Sequence, residues 1–354
     1  AASAIPWSAG ASEVADQILI VANPAGDAQI YLTNADGSVQ RALTTGPGEN
    51  TQPAWSPDGR RIAFTSMRDG DMNIYVMDAD GSNQRRLTDH PQPDNVPSWS
   101  PDGMQILFRS YRDRHANLFT IDADGGNLKR LTATSADKGT PYWSPDGRRI
   151  VYAVYGDFGR SQLHVMKADG SEERDITSAL SKDKKTQPAW SPDGRKLAFV
   201  AMKSYGENHI YVVGADGSNP VNLTDNPYVN TMPSWSPDGR RLAFVSNRDG
   251  DMVGRAAGDI FLMNADGSGV INLTRHPAND DEPQWSADGS TLYFLSLRNG
   301  PSQMFKLRLD GGPPTRLTAH SHHDLMFSLC PGRRDTSRST AKNPVSLERA
   351  LSGN

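Results

Sequence analysis

Histidine is sparse in this sequence, eight among 354 residues, yet His320, His322 and His323 fall together with Asp324 directly after them. Imidazoles and a carboxylate at that spacing could ligate a transition metal, but nothing nearby fixes the third and fourth ligands such a site needs. Exposed loop histidines are the commoner outcome. A second set of polar residues is dispersed but regular. Five positions before each of six tryptophans stand Asn50, Asp94, Lys138, Lys185, Asn230 and Asp280, and His322 stands five before Phe327. Asn95, Asp281 and His323 follow one place later. If these positions converge, they form either a polar ring able to grip a peptide, a sugar or an ion, or a solvated loop rim. Arg68, Arg112, Arg248 and Arg298 also recur, three of them as Arg-Asp, which suggests a local ion pair at a hairpin with a ligand-facing role open. No G-x-S-x-G nucleophile elbow occurs. The single cysteine, Cys330, excludes an intramolecular disulfide and a multi-cysteine zinc site.

The regularity comes from an internal repeat. WSPDG begins at Trp55, Trp99, Trp143, Trp190 and Trp235, and WSADG at Trp285, at intervals of 44, 44, 47, 45 and 50 residues. A DG turn at Asp36, Asp80, Asp124, Asp169, Asp216, Asp266 and Asp310 and a closing Thr at Thr44, Thr88, Thr132, Thr177, Thr224, Thr274 and Thr318 each occur seven times. Within one unit, Gln52 to Thr88, β-branched and apolar runs of five to seven residues alternate with Pro-Asp-Gly and Ala-Asp-Gly turns. Four short strands, A to D, result. Four-stranded units at this period predict propeller blades. The first unit, Gln17–Thr44, lacks a preceding tryptophan strand, and His323–Leu329 at the other end supplies its strand A, with Phe327-Ser328 in the Trp-Ser place. Seven blades are therefore expected, with six plus a surplus partial unit as the alternative. Closing the ring this way hides an open sheet edge.

The pattern WSPDG…IAF.S.RDG…IYVMDADGSN.RRLT resembles the TolB-type propeller repeat from about Gln17 to Ser328. That resemblance implies a propeller fold and, for TolB itself, a periplasmic protein-binding role in a cell-envelope complex. Two departures matter: TolB carries an additional N-terminal α/β domain, and its propeller has six blades. The partner is therefore not carried over.

The repeated motifs read as structure, because every blade needs the same hairpins while one function rarely needs six copies. Calcium at the DADG turns is not expected, since no Glu closes a twelve-residue loop. The A–B and C–D turns are uniform and share one face. The B–C and D–A loops share the other, vary in length, and carry the insertions Tyr155–Ser161 and Asp249–Gly258. Loops released from uniformity are the expected binding surface.

Composition bounds the rest. With 37 Lys+Arg against 41 Asp+Glu the net charge is −4 and the pI about 6.1, which argues against nucleic-acid binding. The longest apolar run, Ile18 to Ala22, is strand length, so no span is expected. The opening AASAIPWSAG suits a mature exported protein. Residues 1–16 are read as an extension, 17–329 as the propeller, and 330–354, polar and basic, as a flexible tail. The resulting expectation is a monomeric, cofactor-free, non-enzymatic propeller, periplasmic or secreted, that binds a protein or peptide partner. Its candidate contacts are Asn50, Asp94, Asn95, Lys138, Lys185, Asn230, Asp280, Asp281, His322, His323 and Asp324. The rival is a carbohydrate-active propeller, a lyase or sugar-binding protein, with a metal near the closing histidines.

Overall fold

The computed structural model describes residues 17–331 apart from 25, 39, 182, 204–205 and 250–256. Seven four-stranded antiparallel sheets form a seven-bladed ring. Blade 1 takes strand A from Asp324–Leu329 and strands B to D from Gln17–Ala22, Gln29–Asn34 and Gln40–Ala42. The remaining A strands are Asn50–Trp55, Asp94–Trp99, Tyr142–Trp143, Lys184–Trp190, Asn230–Trp235 and Asp280–Trp285, for blades 2 to 7. Strand A is innermost: neighbouring A strands touch one another in the seams between blades 1 and 2, 2 and 3, 3 and 4, 5 and 6, and 6 and 7. The closing segment pairs antiparallel with the first B strand, so the two ends of the ring are fastened inside one sheet.

Each conserved motif has a local physical reason. In the A–B turn Ser56 donates to Asp58 Oδ1 at 2.6 Å and accepts the Arg61 N–H at 2.9 Å, while Gly59 supplies φ of 68°. In the C–D turn Asp80 Oδ1 accepts the Ser82 N–H at 2.9 Å. The closing threonine takes a backbone N–H of strand C, as Thr88 does from Ile74 at 3.0 Å, and the same bond recurs in all seven blades. The tryptophans stitch blade to blade. Each indole N–H donates to the carbonyl one residue before the equivalent position of the preceding blade: Trp99 to Ala54, Trp143 to Ser98, Trp190 to Tyr142, Trp235 to Ala189 and Trp285 to Ser234.

Seven apolar clusters fill the seven seams, so both faces of every strand B are buried. That explains why strands such as Arg61–Ser66 carry apolar or small residues on both sides instead of alternating with polar ones.

The closing strand corrects the expected register. Trp55 donates its indole N–H to Ser328, and Ile18 pairs with Leu329 as Ile62 pairs with Trp55. Leu329, not Phe327, therefore stands in the tryptophan place. Phe327 lies where the other blades carry proline and is buried in the seam with blade 7. The Phe-Ser pair imitates Trp-Ser in sequence, two residues out of phase. Residues 250–256 of the insertion Asp249–Gly258 lie outside the described residues, as do residues 1–16 and the tail beyond 331.

Candidate functional site

One level of strand A, five residues before the tryptophan place, carries Asn50, Asp94, Lys138, Lys185, Asn230, Asp280 and, after the register correction, Asp324. All seven are at most 1% exposed. They lie beneath the channel mouth as a buried polar layer instead of lining a solvated rim. Their partners explain the recurring arginines. Arg68 donates from Nε to Ser66 at 2.9 Å and from Nη2 to Asn50 Oδ1 at 2.8 Å, with its guanidinium over Phe64 and Tyr75. Arg112 holds Asp94, Arg248 holds Asn230 and Arg298 holds Asp280 in the same way. The expected hairpin ion pair with the following Asp is thus replaced by a brace across strands A, B and C.

Blades 4 and 5 have Gly156 and Lys203 at the arginine position, and there strand A supplies the cation itself. Lys138 Nζ donates to the Ala136 carbonyl at 2.6 Å and to Thr134, and Lys185 Nζ to the Ser181 and Asp183 carbonyls, each at 2.8 Å. Burial pushes both ammonium groups below their ordinary pKa. In blade 1, Asp324 accepts from Thr318 Oγ1 at 2.5 Å and the Met304 N–H at 3.1 Å, with His320 Nε2 3.1 Å away. One basic side chain therefore serves this level in each blade.

The inner wall is built one step further along strand A. In five blades a β-bulge puts the third residue in the left-handed region: Gln52, Val96, Gln187, Met232 and Glu282, with φ of 50–53°. Their side chains link neighbour to neighbour. Gln52 Oε1 accepts the Val96 N–H at 3.0 Å, Gln187 Oε1 accepts the Met232 N–H at 2.9 Å, and Met232 Sδ faces the Glu282 N–H at 3.3 Å. Counted from the buried-layer residue as the first, the second, third and fifth positions in the seven blades hold amides, hydroxyls, one glycine and apolar groups, no Lys or Arg, and only two acids, Asp281 and Glu282. Burial and then the neighbouring Asp280 push Asp281 up to about 6. Burial and then Asp281 push Glu282 up to about 7. Tyr142, from blade 4, is raised by burial and then by the charge of Glu282.

Around the mouth, the residue one step past the buried layer on strand B is apolar in five blades: Met67, Tyr111, Tyr155, Met202 and Leu297. Met67, Tyr155 and Leu297 are exposed, and Leu325 adds to them. Gly139 makes room for the Tyr155 phenol, since a Cβ there would lie 3.2 Å from its Oη. The Tyr155–Ser161 insertion forms a short 3-10 turn, Asp157–Gly159, that lifts Phe158 out to 94% exposure.

Of the sequence candidates, Asp281 reaches the channel wall, and Asn95 holds the equivalent position in blade 3, accepting from Arg109 Nε at 3.0 Å. His322 and His323 do not join the ring. His322 stacks on His320 with ring centroids 3.6 Å apart, and His323 Nδ1 accepts the Ser302 N–H at 2.9 Å. Among the described residues no group of three or more His, Cys, Asp or Glu side chains comes together as a metal would require. Glu282, Tyr142 and the apolar collar escaped the sequence reading. The run Asp280-Asp281-Glu282, three acids in a row where no other blade carries more than one, was the available signal.

These features define a closed seven-bladed propeller with a braced inner layer and an acid-marked channel. The chain belongs to the TolB β-propeller domain family, whose model matches residues 6–186, 140–253 and 253–334. A TolB homolog of Chlorobium chlorochromatii is 44% identical over 43 residues, 12% of this chain and 10% of that protein, so the match spans about a tenth of the curated relative. Among solved structures, a putative TolB from Agrobacterium tumefaciens is 22% identical with a TM-score of 0.53, covering 77% of this chain and 95% of that one. An oligogalacturonate lyase from Vibrio parahaemolyticus is 17% identical with a TM-score of 0.68, covering 83% and 86%. At these identities the structural likenesses speak for the fold alone.

Proposed function

We propose that this propeller is a binding module of the cell envelope that takes an extended segment of a protein partner at its channel mouth, on the face of the B–C and D–A loops. The reading rests on one observation: an exposed apolar collar, Met67, Tyr155, Leu297 and Leu325, surrounds a wall whose only charges are Asp281 and Glu282. The remaining polar groups of the ring are engaged in holding the blades, which leaves this mouth pre-organised for many modest contacts. A carbohydrate-active role with a metal at the closing histidines is not adopted, because His320, His322 and His323 are each engaged in local packing and do not fit a ligand set.

Selection from a phage-displayed random peptide library tests the proposal. Enriched peptides are expected to bind the wild type and to lose tenfold or more in affinity, about 1.4 kcal/mol, with Met67→Glu or Leu297→Glu. Arg195→Glu on the opposite face should leave binding unchanged. Failure to enrich any peptide, or loss only with Arg195→Glu, would overturn it.

A further inference from the structure

The seam between blades 7 and 1 is under-filled in three respects. Leu329 replaces the tryptophan, Ala287 replaces the turn proline that packs over the next blade's glycine elsewhere, and Thr291 replaces the arginine that covers the next blade's indole, as Arg61 covers Trp99 and Arg149 covers Trp190. A cavity of about 280 Å³ results, lined among others by Gln17, Ala35, Ser286, Asp288, Leu329 and Cys330. Gln284 Nε2 reaches the Phe327 carbonyl at 3.2 Å in this seam, the side-chain bond that links the two A strands where no indole is present.

The sequence contains a seventh tryptophan. Pro6-Trp7-Ser8-Ala9-Gly10 resembles Gln284-Trp285-Ser286-Ala287-Asp288-Gly289, and the family match itself begins at residue 6. Gln17, which borders the cavity, lies ten residues after Trp7, and ten residues reach at most about 33–36 Å. Strand A of blade 1 is already occupied by Asp324–Leu329, so a Trp7 segment has no free ladder to join. We infer that Trp7 seats its indole in this cavity and completes the seventh seam from outside the sheet. The occupant is thus a segment of the same chain, and the N-terminal extension becomes part of the clasp that closes the ring. Ser286, Asp288 and Ser290 at the cavity offer oxygen acceptors for the indole N–H, which a buried tryptophan ordinarily pairs.

Fluorine NMR of the full chain labelled with 5-fluorotryptophan tests this, the Trp7 resonance being identified by its loss in Trp7→Phe. The expected result is that a soluble gadolinium chelate broadens the Trp7 signal no more than it broadens the six seam tryptophans. Broadening equal to that of the free amino acid would overturn the inference. As a second measurement, Trp7→Ala should lower the melting midpoint on the order of 2 °C in the wild type and leave it unmoved in Leu329→Trp, where the cavity is already filled. An equal loss in both backgrounds, or none in the wild type, also overturns it. If Leu329→Trp does not fold, the gadolinium measurement on the wild type decides alone.

Discussion

Glu282 carries a carboxyl on a wall that gives it no basic neighbour, and Asp281 stands beside it. Unfolded, Glu282 ionises near 4.5; in the ring burial and Asp281 move it to about 7. Between those values the folded chain keeps a proton that the unfolded chain has released. Stability from this group is therefore complete below about 4.5 and declines as pH rises through about 7. Asp281, raised to about 6 by burial and Asp280, adds a decline of the same sign. Glu282→Gln is expected to flatten the fall in melting temperature over roughly pH 4.5–7 and to leave the variant more stable than the wild type above that window. Melting curves across the range check this, and an unchanged slope would refute the assignment.

At the level of the element, the brace joining strands A, B and C comes in two electrical forms. Arg298 faces a carboxylate, Asp280, whose other oxygen has no hydrogen-bond partner among the described residues, whereas Arg68 faces the amide of Asn50. Removing the cation should therefore differ between blades. Arg298→Met strands a buried charge and is expected to cost about 3–5 kcal/mol. Arg68→Met leaves an amide oxygen still bonded to Ser66 at 2.7 Å and is expected to cost about 1–3 kcal/mol. Adding Asp280→Asn to Arg298→Met should recover most of the larger loss. Urea midpoints of the three variants decide it, and equal losses from the two single changes would contradict the argument. The recurrence of these arginines was legible in the sequence as a structural sign. Their partners were not, because Arg68 reaches Asn50 eighteen residues back, a pairing that only the register of strands A and B creates. The turn motifs were fully legible, since Ser56, Asp58 and Gly59 act within their own loop. The polar layer was legible as a shared level, open in sequence to both a ligand-gripping ring and a solvated rim, but its burial was not, because spacing shows which residues share a level and not which side of the strand the next blade covers.

For the molecule as a whole, the count of seven blades followed from six tryptophans against seven DG and seven threonine motifs. The phase of the closing strand did not, because Leu329 has lost the residue type that marks its place. The ring nevertheless depends on that strand. Without residues 324–329 the first B strand, Gln17–Ala22, would present an open edge. A chain truncated after residue 323 is expected to leave the monomer peak in size-exclusion chromatography and elute as self-associated species, with its strand content by circular dichroism largely retained. A monomeric truncation with unchanged melting would show that closure is dispensable.

The two fastening strands run antiparallel, and the Cys330 N–H meets the Gln17 carbonyl at the very edge where the chain enters and leaves blade 1. A pulling force on the chain from both sides of this blade thus falls on one rung at a time, like a zip opened from its tab, instead of loading the whole ladder in shear. The geometry that lets the clasp close the wheel is thus also one that opens rung by rung under tension.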